Sequence, residues 1–369
     1  MHQKEIQILT FNNPFPANYG GVIDVFYKIK ALHQLGIKIH LHAFYDDRSD
    51  IKELKNYCET INIYKRKKSI LKHLSLLPFA INSRTSKVLV ERLKSKSAPI
   101  FFESIKSVYP LINTNFSQAA AIRCHNIEHL YTYGLFKSEK NWLKKLAFYF
   151  EGQKLKQIQK VFEKADFIFT ISNHEQDYFS SNFKTTTQLL PVFHGHSKIK
   201  SQPGFGKYAL YHGDLSIADN IKSAQLIISV FKDLEHQLII ASSTFPKVIK
   251  NAIENSKNIK FELIENDEQL SQLIQNAHIN TLYSFQQSGT KLKVFNALFN
   301  GRHCIVNSNM VDDKSILNIC NVSETKLGYE KAVTKLFNQP FELTNTRIEI
   351  LKKYDDIENA KIIVERLLT

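Results

Sequence analysis

The chain is poor in the residues that mark disulfide scaffolds, zinc modules and membrane spans. Among 369 residues there are 4 cysteines, 2 methionines and 1 tryptophan. The cysteines, at positions 58, 124, 304 and 320, form no Cys-x-x-Cys pair and no zinc-ligand spacing. They read as buried or incidental thiols in a reducing compartment. Apolar runs such as 75–81 and 146–150 fall far short of the ~20 residues a membrane-spanning helix needs. The sequence enters a strand pattern almost at once, Ile6-Gln7-Ile8-Leu9-Thr10, with no basic-then-apolar leader, so a cytoplasmic location is expected. Gly-x-Gly-x-x-Gly is missing, which argues against a dinucleotide-dependent dehydrogenase. Asp-x-Asp is missing too: the acidic pairs at 46–47, 312–313 and 355–356 are adjacent, so no metal-bridged diphosphate site is expected. There are no repeats and no low-complexity tracts.

What the chain has in excess is positive charge. The net charge is +14, and residues 1–190 hold 28 Lys and Arg against 16 Asp and Glu, while 191–369 hold 21 against 19. A basic first half attracts phosphorylated ligands, acidic lipids or nucleic acid, or is simply a solvated lysine-rich surface. Basic residues interleaved with aromatics in a nucleic-acid reader motif are not found, so nucleic acid is not an expected partner. Lys65-Arg66-Lys67-Lys68, followed by Ile70, Leu71, Leu74 and Leu76, has the composition of an anionic-membrane contact at the inner face of the membrane. A solvated loop running into a core helix reads equally well. The stretch around Trp142–Lys145 is a second candidate.

The length suits two domains, and short apolar runs alternating with helical patterns argue for parallel α/β units. Strands are expected at 6–11, 37–44, 99–102, 119–123 and 165–172, and a long helix at about 142–164. A first helix carries Val22, Val25, Phe26, Ile29, Leu32 and Leu35 at three- and four-residue intervals and stops at Gly36. Turn-rich sequence at 191–206 suggests a linker. A second series follows, with strands at 208–212, 237–241, 259–264 and 279–283, helices at 218–231 and 268–276, and a helical tail at about 348–368. The expected domains are 1–195, 205–345 and a terminal helix, 346–369, packing back on the first.

Three clusters can carry chemistry. The loop after the first strand brings Tyr19, Gly20 and Gly21 to a helix start, where backbone amides can approach a phosphate or a sugar. Asp24, one turn on, can meet a hydroxyl-bearing ligand or merely favour the positive end of the helix. Arg123-Cys124-His125-Asn126-Ile127-Glu128-His129 is a costly composition for a strand end without a ligand. His125 and Asn126 can donate to a sugar hydroxyl and Glu128 can accept; alternatively Asn126 or Glu128 caps a helix. His-x-x-Glu supplies too few ligands for a metal. The third cluster is Ser288-Gly289-Thr290-Lys291-Leu292-Lys293, opening a helix whose apolar face is Leu292, Phe295, Leu298 and Phe299 and which Gly301 ends. Free amides near 289–291 and two lysines make a diphosphate cradle, and Asn296 can reach ribose hydroxyls.

The segment "GTKLKVFNALFNG" at 289–301 resembles the nucleotide-sugar-binding segment of retaining glycosyltransferase family 4. "PFPANYGGVIDVFYKIKALHQLG" resembles the family's opening loop and first helix, and "RCHNIEHLY" its central His segment. "FEKADFIFTISNHEQDYF" resembles the end of its N-domain and "YALYHGDLSIADNIKSA" the opening of its C-domain. The resemblance implies a GT-B fold, two Rossmann-like domains facing a central cleft. It implies a hexosyltransferase using a nucleotide-sugar donor, a glycan or lipid-linked acceptor, retention of configuration, and neither metal nor bound cofactor. Gly20 and Gly21 would then approach the diphosphate or the acceptor, and His125 would sit by the donor sugar. Gly289, Thr290 and Lys291 would hold the diphosphate and Asn296 would meet the ribose; Gly213, Ser288 and Lys293 are further expected donor-binding positions, and His125, Gly21 and Lys291 the expected catalytic ones. Two departures stand out. Ser288 and Asn296 replace the family's glutamates, and Gly213-Asp214 with Asp219-Asn220 replaces its basic pair. Neutralisation then falls to Lys291, Lys293 and amides, and a non-catalytic scaffold of the same fold is the alternative.

Overall fold

The structure is a computed structural model and describes residues 4–286 and 290–369. The chain divides into two compact units. One runs to Gly195 and includes Tyr354–Thr369, and the other is His196–Lys353.

In the first unit the strands are β1 (Glu5–Thr10), β2 (Lys38–Tyr45), β3 (Thr60–Lys65), β4 (Ile100–Glu103), β5 (Ala120–Cys124), β6 (Phe167–Thr170) and β7 (Thr186–Leu189). They form one sheet in the order β3-β2-β1-β4-β5-β6-β7, and every pairing is parallel. Strand order reverses beside β1, which places ligands at the carboxyl ends of β1 and β4. The central strands are apolar on both sides because helices cover both faces: Ile6 and Ile8 join one core, Leu9 and Phe102 the other.

The first helix, Gly20–Gln34, buries Val22, Val25, Phe26, Ile29 and Leu32, the stripe the periodicity predicts. Gly36, at φ +76°, ends it in the left-handed conformation that favours glycine. The edge strands β3 and β7 are not predicted by the sequence. The helix expected at 142–164 is α-helical only over Trp142–Gln157 and continues as a 3-10 helix, Ile158–Lys164.

In the second unit β8 (Ala209–His212), β9 (Leu238–Ser242), β10 (Ile259–Leu263), β11 (Ile279–Thr281), β12 (His303–Val306) and β13 (Asn321–Val322) pair in the order β10-β9-β8-β11-β12-β13. Again all pairings are parallel. Helix Ala218–Phe231 has the predicted bounds. Helix Leu292–Asn300 buries Phe295, Leu298 and Phe299 and stops before Gly301. A side chain at Gly301 would run into Asn280 and the Ala297 carbonyl.

The boundary between the units, Gly195–His196, falls inside the stretch 191–206 expected as a linker; within it Phe193 is fully buried in the first core, and Ser201 is buried and bonded by Arg347. One expectation is corrected. The tail is two helices, Asn345–Lys352 and Asp356–Leu367, with Asp355 capping the second through the Ile357 and Glu358 amides. The second packs Ala360, Ile363 and Leu367 into the core that also holds the first helix, and so belongs to the first unit.

Candidate functional site

Each unit carries a polar cluster at the carboxyl ends of its strands. In the first, four charged side chains are buried together. Lys28 Nζ lies 3.0 Å from Asp24 Oδ2 and 2.6 Å from Glu103 Oε1. Arg123 Nη2 lies 3.1 Å from Asp24 Oδ1 and also donates to the Pro191 carbonyl at 3.0 Å. The Phe193 amide donates to Asp24 Oδ1 at 2.9 Å. Two anions face two cations, which is the condition for burying charge at tolerable cost. Burial alone would raise both carboxyls. Arg123, Lys28 and His125 nevertheless hold Asp24 well below the usual range, and Lys28 first among the charges does the same for Glu103.

His125 is the fifth member and the one that reaches outward. Its side chain is 13% exposed, and Nε2 lies 3.3 Å from Glu103 Oε2 and 3.8 Å from Asp24 Oδ2. Phe11 stands edge-on to its ring at 6.0 Å. Asp24, Glu103 and His125 bring ligand-type atoms within 4.8 Å of one another. The Lys28 ammonium, already between the two carboxylates, supplies the positive charge there, so the donor set does not fit a metal without expelling a buried cation.

At the mouth of β1, Tyr19 is exposed, accepts from Asn12 Nδ2 at 2.8 Å and has the Arg48 guanidinium over its ring. Gly20 opens the first helix, and among the described residues its amide and that of Gly21 receive no partner. A Cβ on Gly21 would come within 2.9 Å of Phe11 Cζ. Gly21→Ala is therefore expected to push Phe11 toward His125 and lower activity more than stability, checked by comparing turnover with the melting temperature. Ser104, just past β4, is held at φ +72°, a strained conformation for a side-chain-bearing residue. Its hydroxyl faces Glu128 Oε1 at 3.5 Å.

Two acceptor-side expectations need correction. Asp24 is 1% exposed with both carboxylate oxygens engaged, so it orders the site from beneath. Glu128 is 7% exposed and turns to Lys106 Nζ at 2.9 Å. Asn126 stays half-buried beside His125, lining with Ser104, Glu128 and Gln159 a small cavity. Lys28 and Glu103 escaped the sequence reading. The i, i+4 spacing of Asp24 and Lys28 was the available signal for one, and the position of Glu103 at a strand end for the other.

In the second unit, Ser288 and Gly289 lie outside the described residues. Lys291 stands at the N-cap position of helix Leu292–Asn300 without a capping side-chain bond, and its amide donates to the Met310 carbonyl at 3.2 Å, which corrects the expectation of a free N–H there. Thr290 precedes it, half-buried. Lys293 turns its amino group onto Asn220 Oδ1 at 3.2 Å and over the Tyr211 ring. Burial, and then Lys291, push that amine down to about 8, eased by Asp219. His212 Nε2 is buried with no partner. Burial and Lys293 lower its pKa to about 3, so it is neutral. Gly213 makes only ordinary contact where its Cβ would stand, 3.5 Å from Asn220, so nothing there demands glycine. The Asn296 carbonyl oxygen is taken by His196 Nε2 at 2.8 Å, so a ribose contact from Asn296 requires that bond to open. Ser284 is held by Asn307 and donates to Asp219 Oδ2 at 3.1 Å, which the sequence reading missed.

No family model matches the sequence. A curated relative, an uncharacterized 44.6 kDa protein in the cps region of Klebsiella pneumoniae, is 27% identical over 201 residues, 52% of this chain and 51% of the relative. The match thus spans about half the length of that relative. Among solved structures, sucrose-phosphate synthase from Thermosynechococcus elongatus matches with a TM-score of 0.69 at 12% identity, covering 98% of each chain. TarM matches with a TM-score of 0.69 at 12% identity over 99% of each chain. HepE of Anabaena, in complex with UDP and glucose, matches with a TM-score of 0.68 at 11% identity over 99% of each chain. The fold is that of the GT-B glycosyltransferases. At such identities the likeness fixes architecture and leaves chemistry to the residues.

Proposed function

We propose that the protein is a glycosyltransferase, a hexosyltransferase that takes its sugar from a nucleoside-diphosphate donor and transfers it, with retention and without a metal, to a glycan or lipid-linked acceptor. The observation that carries this reading is Lys293. A half-buried amine with no ion pair among the described residues, at the start of a helix and at the carboxyl end of a parallel sheet, is placed to meet an anion. It also answers the missing basic pair, since the amino group rests on Asn220 itself. HepE's complex with UDP and glucose accords with such a donor, and the relative in a cps region accords with polysaccharide biosynthesis. In the first unit, His125 would touch the sugar, and Tyr19, Gly20 and Asn126 would frame the acceptor. Charge growing on the leaving phosphate would be met by Lys293, Lys291 and helix amides.

The test is thermal shift and calorimetry with a panel of nucleoside diphosphates. One base is expected to raise the melting temperature, with a ligand at 100 times its Kd adding about 2.7 kcal/mol, and Lys293→Met should reduce the rise without removing it. The pH dependence has a definite sign. A phosphate beside Lys293 restores its proton, so above pH 8 binding must take one up. Affinity should then fall roughly 5–10-fold between pH 7.5 and 9, because the protonated fraction of the free amine drops by that factor, and it should stay flat in Lys293→Met. No shift with any nucleotide would leave a scaffold of the same fold.

A further inference from the structure

Resting on the reading above, we infer that one face of the first unit, built from helix Trp142–Gln157 and the 3-10 turn Ile70–Leu74 with Leu76, is a docking surface for an anionic lipid bilayer. The two stretches are some seventy positions apart in sequence, and hydrogen bonds pin them together. The Glu151 carboxylate accepts from the Phe79 and Ala80 amides at 2.9 and 2.8 Å, and Lys154 Nζ donates to the His73 carbonyl at 2.7 Å. Both stretches leave their large apolar side chains in water. Ile70, Leu71, Leu74 and Leu76 are 70–93% exposed, and Trp142, Leu143, Leu146 and Phe150 are 45–67% exposed. Of the whole helix only Leu155 is buried. A run of exposed apolar side chains this dense marks an interaction surface rather than ordinary scatter.

Charge decides the occupant. No acidic residue stands between Glu59 and Glu91, a stretch holding Lys65, Arg66, Lys67, Lys68 and Lys72. The nearby Asp46 is neutralised by Arg66 and Lys68, and Glu151 spends its charge on backbone amides. Lys144 and Lys145 flank the exposed end of the helix. Glu139 is the acidic residue next to it, and its carboxylate accepts from the Lys140 and Asn141 amides. Apolar side chains rimmed by one-signed basic charge suit the headgroup boundary of an acidic bilayer. A second copy of the chain would set like charge against like across a twofold interface.

The placement also serves the chemistry. Helix Trp142–Gln157 packs on helix Glu128–Ser138, approaching closely at Gly152, whose Cβ would stand 3.6 Å from the His129 carbonyl. That second helix starts at the His125 cluster. A bilayer on this face would hold a lipid-linked acceptor beside the edge of the site.

The experiment is vesicle flotation of the full chain, with phosphatidylcholine alone and with phosphatidylcholine mixed with phosphatidylglycerol. Binding is expected only to the mixed vesicles, weakened by salt. The double variants Leu71→Glu/Leu74→Glu and Trp142→Glu/Phe150→Glu should each lose tenfold or more of it. Circular dichroism and the nucleotide-induced thermal shift should be unchanged in both. Equal binding to neutral vesicles, unimpaired binding by both variants, or a wild-type dimer that the variants split would overturn the proposal. A missing nucleotide shift with intact vesicle binding would count against the transferase reading and leave the docking surface standing.

Discussion

Lys28→Met is expected to cost about 3–5 kcal/mol of stability, the range for removing one partner from a buried ionic cluster. That is a large part of the 5–15 kcal/mol that typically holds a domain of this kind together. The methionine fills the volume, so the loss measures charge rather than packing. Lys28 bridges Asp24 and Glu103, and without it the two buried carboxylates keep Arg123, His125 and the Phe193 amide as partners. The pH dependence separates this from a packing defect. In the wild type both carboxyls are depressed, so their contribution is complete above the unfolded carboxylate range and fades as pH falls through it. In the variant that contribution is mostly gone at neutral pH, and the gap to wild type should narrow toward pH 4 as the carboxyls take up protons. Urea unfolding at pH 7 and pH 4.5 checks this, and adding Glu103→Gln should recover part of the loss. Coincident midpoints at pH 7 would mean the cluster does not depend on Lys28.

His125→Ala should lower turnover about 10²–10³-fold, the effect of deleting one preorganised donor at a reacting centre. Nucleotide affinity should stay unchanged, because the nucleotide-binding cluster proposed above lies in the other unit. His125 alone among the five has both a route to the surface and a fixed orientation, given by Glu103 at 3.3 Å. Glu103→Gln tests the positioning role: it should shift the pH profile of turnover as well as reduce it, whereas a purely structural role would change stability alone. Single-turnover kinetics beside nucleotide calorimetry would check both. An unchanged rate in His125→Ala would remove this histidine from the mechanism.

The sequence shows the architecture wherever strands are central and helices amphipathic. Ile6-Gln7-Ile8-Leu9 and the Val22–Leu32 stripe carry an apolar signature because they are buried on both faces or along one. The edge strands Thr60–Lys65 and Thr186–Leu189 carry little, since an edge exposes much of its surface and its pattern blurs into loop. Composition also misleads at the site. Asp24 is polar and sits one turn into a helix at a strand end, which suggests a ligand contact, yet its partner Arg123 is 99 positions away and Glu103 is 75 from Lys28. Only the folded sheet reveals that these charges satisfy one another. The reverse holds for Leu71, Leu74, Trp142 and Phe150. Their pattern fits a core face as well as a membrane contact, and only the packing shows that they stay exposed among the described residues.

Helix Asp356–Leu367 returns to the first unit after the whole of the second has been made. On a ribosome adding ~5–20 residues per second, roughly 10–30 s separate the emergence of Gly195 from that of the last helix. During that interval the groove that receives Ala360, Ile363 and Leu367 lies open on a nascent chain, and the His194 and Gly195 amides lack the Asp356 carboxylate that binds them at 3.0 and 2.8 Å. The first unit therefore cannot be finished in the order it is translated. The second, whose residues are contiguous, can fold while the first still waits for its last piece.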